Sequence, residues 1–187
     1  MTLMTIDAVG LPRGRALTVD DLDTLPDDGH RYELIDGVLI VSPAPSRRHQ
    51  QAIGNLYVAV RAALPGDLAV LFAPFDVALV DDTLIQPDLI VAADSDYTDK
   101  NLPTAPLLAV EVLSPYTRGI DLLLKKDRLE RAGCAHYWVV DVTEPSVTAW
   151  ALQEDAYRQV AQVTGDETFT VTDPFNVSFT PASLITR

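Results

Sequence analysis

Two short apolar runs each carry one carboxylate where the pattern calls for a hydrophobe. Asp88 follows Pro87 and precedes Leu89, Ile90 and Val91 in QPDLIV; Glu111 lies between Val110 and Val112 in AVEVLSP. A carboxylate among apolar side chains is costly unless it is paired, hydrogen-bonded or bound to metal. Strand alternation puts Asp88 on one face with Leu84, Gln86 and Ile90, and Glu111 on one face with Leu107, Ala109 and Leu113, so neighbouring strands would bring both acids to one point. Glu33, in RYELI, is a third acid inside a predicted strand. Lys125 lies within about 60° of Leu122, Leu129 and Ala132 on a helix turning about 100° per residue, so it falls in the stripe that faces the sheet. Two carboxylates on adjacent strands can hold Mg²⁺ or Mn²⁺, hard ions that prefer oxygen ligands. Such an ion lowers the pKa of a bound water and polarises a phosphoryl oxygen, and a nearby lysine would orient that water or neutralise developing charge. Asp88 and Glu111 are thus the candidate metal ligands, with Lys125 and Glu33 completing the catalytic set. Gln86, Asp121 and Ser114 are candidate supporting residues.

Each residue also has a plainer reading. Asp88 after proline suits a turn, Glu33 could pair with Arg31 at the surface, and Lys125 could pair only with Asp121 one turn earlier. His49 beside Arg47 and Arg48 reads as the solvated polar start of a helix. His30 and His136 have no metal spacing with each other or with Cys134, which reads as a small buried hydrophobe. Tyr137 and Trp138 read as core.

The elements that must position these groups follow from periodicity. LTVDDLDTLPDDG predicts a short helix with a capping-box-like start at Thr18 and Asp21. RYELIDGVLIVS predicts a hairpin through a type I′ turn at Asp36-Gly37. SRRHQQAIGNLYVAVRAALPG predicts a helix with Ile53, Leu56, Tyr57, Val60 and Leu64 on one face, stopped by Pro65-Gly66. LAVLFAPFDVALV reads as a strand region interrupted at Pro74. Strands around Asp88 and Glu111 follow, then a helix from about residue 119 to Ala132 ended by Gly133. HYWVVDV is a further strand, and SVTAWAL, YRQVAQV and ETFTV alternate like antiparallel strands. The prediction is an α/β fold, a mixed sheet flanked by helices, with an N-terminal hairpin and C-terminal antiparallel strands.

With 187 residues the chain suffices for a single domain over 1–187, with 1–15 expected as a flexible N-terminal segment. Hydrophobic content of 48 % and charged content of 22 % are those of a globular protein. No apolar run approaches the ~20 residues of a membrane span, and the N-terminus lacks signal-peptide patterning. The single cysteine rules out an internal disulfide and fits a reducing cytoplasm. A net charge of −13 argues against coating nucleic acid by bulk electrostatics. The one cationic strip, Arg118, Lys125, Lys126, Arg128 and Arg131, is interleaved with Asp121, Asp127 and Glu130.

The ordered set RYELIDGVLIVSPAP, His49, QPDLIV, AVEVLSP, Asp121 with Lys125, and RAGCAHYWVVD resembles the Uma-two family of endonucleases, within the PD-(D/E)XK nuclease-like superfamily. The resemblance implies a restriction-endonuclease-like core. It makes Asp88 the acid of the Pro-Asp motif, Glu111 the acid of the second motif and Glu33 an acid from an earlier element. The lysine expected two residues after the second acid is replaced by Leu113, and Lys125 matches a lysine supplied by the next helix. The expected function is Mg²⁺- or Mn²⁺-dependent hydrolysis of DNA. The alternative is a nuclease-fold protein with a binding, regulatory or assembly role, which the net charge favours. A homodimer is expected from apolar surface at Ile120, Leu123 and Leu124.

Overall fold

The structure, a computed structural model, describes residues 11–186 apart from 13 and 27. The expected flexible segment therefore lies largely outside the described residues. Within them, Leu11 is buried and the Arg15 guanidinium donates to the Asp21 carboxylate at 2.7 and 2.8 Å.

The elements run α1 (Val19–Leu22), β1 (Arg31–Ile35), β2 (Val38–Ser42), α2 (Arg47–Ala63), β3 (Leu68–Phe72), β4 (Asp76–Val80), β5 (Thr83–Ile85), β6 (Leu89–Ala93), β7 (Asn101–Leu102) and β8 (Leu108–Leu113). A π-helical stretch, Ile120–Lys125, leads into α3 (Lys126–Arg131), followed by β9 (His136–Asp141), β10 (Ser146–Gln153), β11 (Ala156–Thr164), β12 (Phe169–Val171) and β13 (Val177–Phe179). A six-stranded sheet has the order β11-β10-β9-β8-β6-β3, a five-stranded sheet the order β2-β1-β5-β4-β7, and β12 and β13 pair by themselves. Only β8–β9 in the large sheet is parallel, because the helical crossover joins them.

Strand alternation gives the large sheet two apolar faces. Leu89, Val91, Val110, Val112, Trp138 and Val140 pack under α2 through Ala52, Ile53, Leu56 and Val60. Ile90, Ala109, Leu113, Tyr137 and Val139 face the other way, against Leu129 of α3 and against Ile35, Val77 and Ile85 of the small sheet. Glu111 belongs to this second face by alternation. Leu107, expected beside it, lies before the strand begins and packs on the first face instead.

Several sequence expectations change. Residues 84–91 do not form one strand: β5 belongs to the small sheet and β6 to the large one, so Leu84 and Gln86 do not share a strand face with Asp88. The Pro74 interruption is likewise a crossing between sheets, from β3 to β4. The helix after β8 begins with π-helical hydrogen bonding, a widened turn that recurs at functional sites. It shifts the inward face to Asp121, Lys125, Arg128 and Leu129, which are buried, and half-buries Ile120. Leu123 and Leu124 are exposed as expected.

The hairpin turn is anchored to that helix. Asp36 and Gly37 have φ of 49° and 76°, as a type I′ turn requires. The Asp36 carboxylate accepts from Arg131 at 2.6 Å and lies 3.1 Å from Arg128 Nε. A Cβ on Gly37 would lie 2.6 Å from Ala16 Cβ. Gly37→Ala is expected to destabilise the protein by about 1–3 kcal/mol in urea titrations, through positive φ and overpacking together.

Candidate active site

The register of β6 with β8 pairs Leu89 with Val110 and Ile90 with Ala109. Continued by one residue, it sets Asp88 beside Glu111. Pro87 has no N–H to offer a ladder, so the strand starts just after Asp88 and the carboxylate lies at its end. The Val112 N–H donates to Asp88 Oδ2 at 2.8 Å, which locks the acid onto β8.

Around this point five segments converge. Lys125 Nζ lies 2.9 Å from Glu33 Oε1, 3.1 Å from Glu111 Oε1 and 3.8 Å from Asp121 Oδ1. Glu33 also accepts the Gln86 N–H at 2.7 Å, so β1 is tied to the segment leading into Asp88. Arg31, two residues before Glu33 on the same strand face, spans the gap. Its Nη1 donates to Asp88 Oδ1 at 3.2 Å, and its Nε is 3.4 Å from Glu33 Oε2. His49 Nε2 is 3.1 Å from Asp88 Oδ2. Glu33, Asp88, Glu111, Asp121 and Lys125 are all at most 2 % exposed.

The predicted site residues thus come together, with altered partners. Lys125 bonds Glu33 and Glu111 rather than Asp88, so Glu33 is central to the cluster. Lys125 does not pair with Asp121 alone. Gln86 contributes its backbone to Glu33, while its side chain turns to Asp76 at 2.8 Å. Ser114 lies 3.0 Å from the Thr117 hydroxyl, which donates to Asp121 at 2.7 Å, so it connects to Asp121 and not to Glu111. His49 is buried against Asp88 and is not a solvated helix end. It continues the stripe of Ile53, Leu56 and Val60 at steps of four, three and four residues. That spacing was the available signal, and the neighbouring arginines obscured it. Arg31 was read only as a surface partner of Glu33; a two-residue step along a strand already puts both on one face.

Four carboxylates here face two firmly charged cations. Burial pushes Glu111 well above the usual carboxylate range, against the pull of Lys125. Burial likewise raises Asp121. Burial opposes the charge on Lys125, but Glu111, Glu33 and Asp121 outweigh it and hold the ammonium above its ordinary value. Asp88 is the exception among the acids. Burial would raise it, yet the His49 hydrogen bond and the charges of His49, Arg31 and Lys125 hold it down to about 2.

A cleft of about 1020 Å³ opens above Asp88, lined also by Arg31, His49, Gln86 and Ser114. Glu33, Glu111 and Lys125 lie behind it and do not line it. Among the described residues no three His, Cys, Asp or Glu side chains are grouped as a ready metal cage. The donor chemistry nevertheless fits a hard cation: Glu33 Oε2, Glu111 Oε2 and Asp121 Oδ1 are buried oxygens without a hydrogen-bond partner among the described residues.

A mixed α/β fold with two acids set beside each other on adjacent central strands is the frame of a restriction-endonuclease-like protein. The chain matches the Uma2 family, described as "Putative restriction endonuclease", over residues 19–184, and it belongs to that family. It is similar to the crystal structure of "a putative nuclease belonging to DUF820" from Anabaena variabilis ATCC 29413, with a TM-score of 0.71 and 17 % identity over 90 % of this chain and 97 % of that one. That likeness shows the nuclease-like fold. No curated protein matches the chain. No helix among the described residues is long and apolar enough to cross a membrane.

The Asp88 shift has a testable sign. A carboxyl held at about 2 in the fold contributes stability above its unfolded value near pH 4, and loses it as pH falls through about 2. Asp88→Asn is expected to cost about 2 kcal/mol near neutral pH, with the gap closing between about pH 4 and pH 2. Denaturant titrations of both proteins across that range check it; a constant gap would mean that the contribution of Asp88 is not ionic.

Proposed function

We propose that this protein hydrolyses DNA phosphodiester bonds with a divalent cation, Mg²⁺ or Mn²⁺, held by Asp88 and Glu111. The observation that carries the reading is the juxtaposition of Asp88, just before β6, with Glu111 inside β8, with unpartnered oxygens on Glu33, Glu111 and Asp121 there. When bound, the ion would supply a water of lowered pKa and neutralise charge on the phosphoryl oxygens. The chain's own groups have separable roles. His49 and the Val112 N–H orient Asp88. Lys125, enclosed by Glu33 and Glu111, holds both carboxylates and offsets their repulsion; it acts by positioning and charge rather than by contact within the cleft. Arg31 is the cation that touches both Asp88 and the cleft, so it is the group placed to donate to a phosphate there.

A second reading has its own support. The net charge of −13 and the saturation of Lys125 by acids suit a nuclease-fold protein that binds or regulates without cutting. A supercoiled-plasmid assay at low salt with Mn²⁺ separates the two. The wild type is expected to nick slowly with little sequence preference, and Asp88→Asn and Lys125→Ala are each expected to lose at least 100-fold. Nicking that persists equally in both variants would mark a contaminant. No nicking by the wild type, with Mn²⁺ binding intact by calorimetry, would establish the second reading.

Assembly as a homodimer is proposed with either reading. Leu123 and Leu124 are 69 % and 48 % exposed on the π-helical stretch, a surface that a two-fold contact would bury on both copies. Light scattering at micromolar concentration is expected to give twice the chain mass of 20.4 kDa; a 20.4 kDa species alone would refute the dimer.

A further inference from the structure

We propose that the cleft above Asp88 takes DNA as an unpaired strand, including the stretches that negative supercoiling opens in a plasmid, rather than as an intact duplex. The inference rests on the phosphodiesterase reading and narrows its substrate. Three observations lead to it.

The first is depth. Asp88 is 2 % exposed, and the cleft above it is walled by separate segments: the chain leaving the hairpin at Pro43–Ser46, the first turn of α2, the Ser114–Thr117 loop and α1. A phosphate within a duplex is carried on a stiff double helix and cannot descend alone to such a floor. A single strand bends at every nucleotide and can.

The second is charge. Duplex DNA carries one negative charge per about 1.7 Å, and its binding depends on a track of Lys and Arg that displaces counterions. Among the described residues no such track lines this cleft. Its arginines among the described residues are Arg31, already engaged with Asp88 and Glu33, and Arg48 at the mouth; Asp23, Asp76 and Asp88 oppose them. Such a lining offers a phosphate a local contact at Arg48 and offers a duplex no face on which to displace counterions.

The third is the rim. Tyr116 is 82 % exposed at the mouth, an unusual state for a large aromatic side chain. Tyr32 and Pro43 also line the cleft. An exposed aromatic face at the mouth of a cleft is a stacking platform for an unpaired base, because every base presents a π-face whatever its sequence. In a duplex those faces are already stacked.

Fluorescence anisotropy tests the proposal on the full chain at low salt, with EDTA present so that nothing is cut. The probes are one labelled oligonucleotide as a single strand and the same sequence as a blunt duplex. The single strand is expected to bind at least tenfold more tightly. Tyr116→Ala and Arg48→Ser, both at exposed positions and checked by thermal melting, are each expected to weaken strand binding by about five- to tenfold. Equal or tighter duplex binding, binding unchanged in Tyr116→Ala, or no binding of either probe would overturn the proposal. Failure here is distinct from failure of the hydrolytic reading. Plasmid nicking combined with duplex preference removes the strand site and leaves the activity. Strand binding without any Mn²⁺-dependent cleavage removes the activity and leaves the strand site.

Discussion

The ammonium of Lys125 is the point on which the other contacts depend. It is 1 % exposed and sits within 4 Å of three carboxylates drawn from β1, β8 and its own π-helical stretch. A lone charge buried this deeply would be strongly destabilising, and so would the acids without it. The cluster exists only because the charges are buried together. Removing the lysine would leave Glu33, Glu111 and Asp121 repelling one another in an apolar setting. The hairpin and the helix would then lose their common contact.

That constraint explains the use of two sheets. Glu111 and Asp88 come from the large sheet, whereas Glu33 and Arg31 come from the small one, and both sheets close on the same face beside Leu129. The small sheet is held there by apolar packing of Ile35, Val77 and Ile85, and by the Asp36 turn gripping Arg128 and Arg131 of α3. The apolar contacts supply most of the burial energy. The ionic ones set orientation, since a one-residue slip of β1 would turn Glu33 away from Lys125 and point Tyr32 or Leu34 at it.

The cluster also divides the site into two layers. Glu33, Glu111 and Lys125 form a closed inner layer, and Arg31, His49 and Asp88 form the outer layer that meets the cleft. Asp88 belongs to both, which is why its environment differs from that of the other acids. It accepts three hydrogen bonds, whereas Glu111 has an oxygen with no partner among the described residues. Two carboxylates side by side therefore have their pKa values pushed in opposite directions.

Much of this was legible from residue order alone. The hairpin, the long helix over Arg47–Ala63 and the C-terminal strands follow from local turn chemistry and periodicity, which act over a few residues. Buried acids at positions 88 and 111 are visible because a carboxylate inside an apolar run has few physical outcomes. The inward bias of Lys125 follows from helical spacing even though the real turn is π-helical, because the apolar stripe is wide. Tertiary structure decided which cation meets which acid. Whether Lys125 reaches Asp88 or Glu33, and whether His49 faces water or Asp88, depends on how two sheets and two helices pack. The division of residues 84–91 between those sheets was equally hidden, since continuous apolar character looks the same whether one strand or two will use it. Charge pairing in a protein interior is settled by distances of a few ångströms between segments far apart in the chain, and no local pattern encodes those distances.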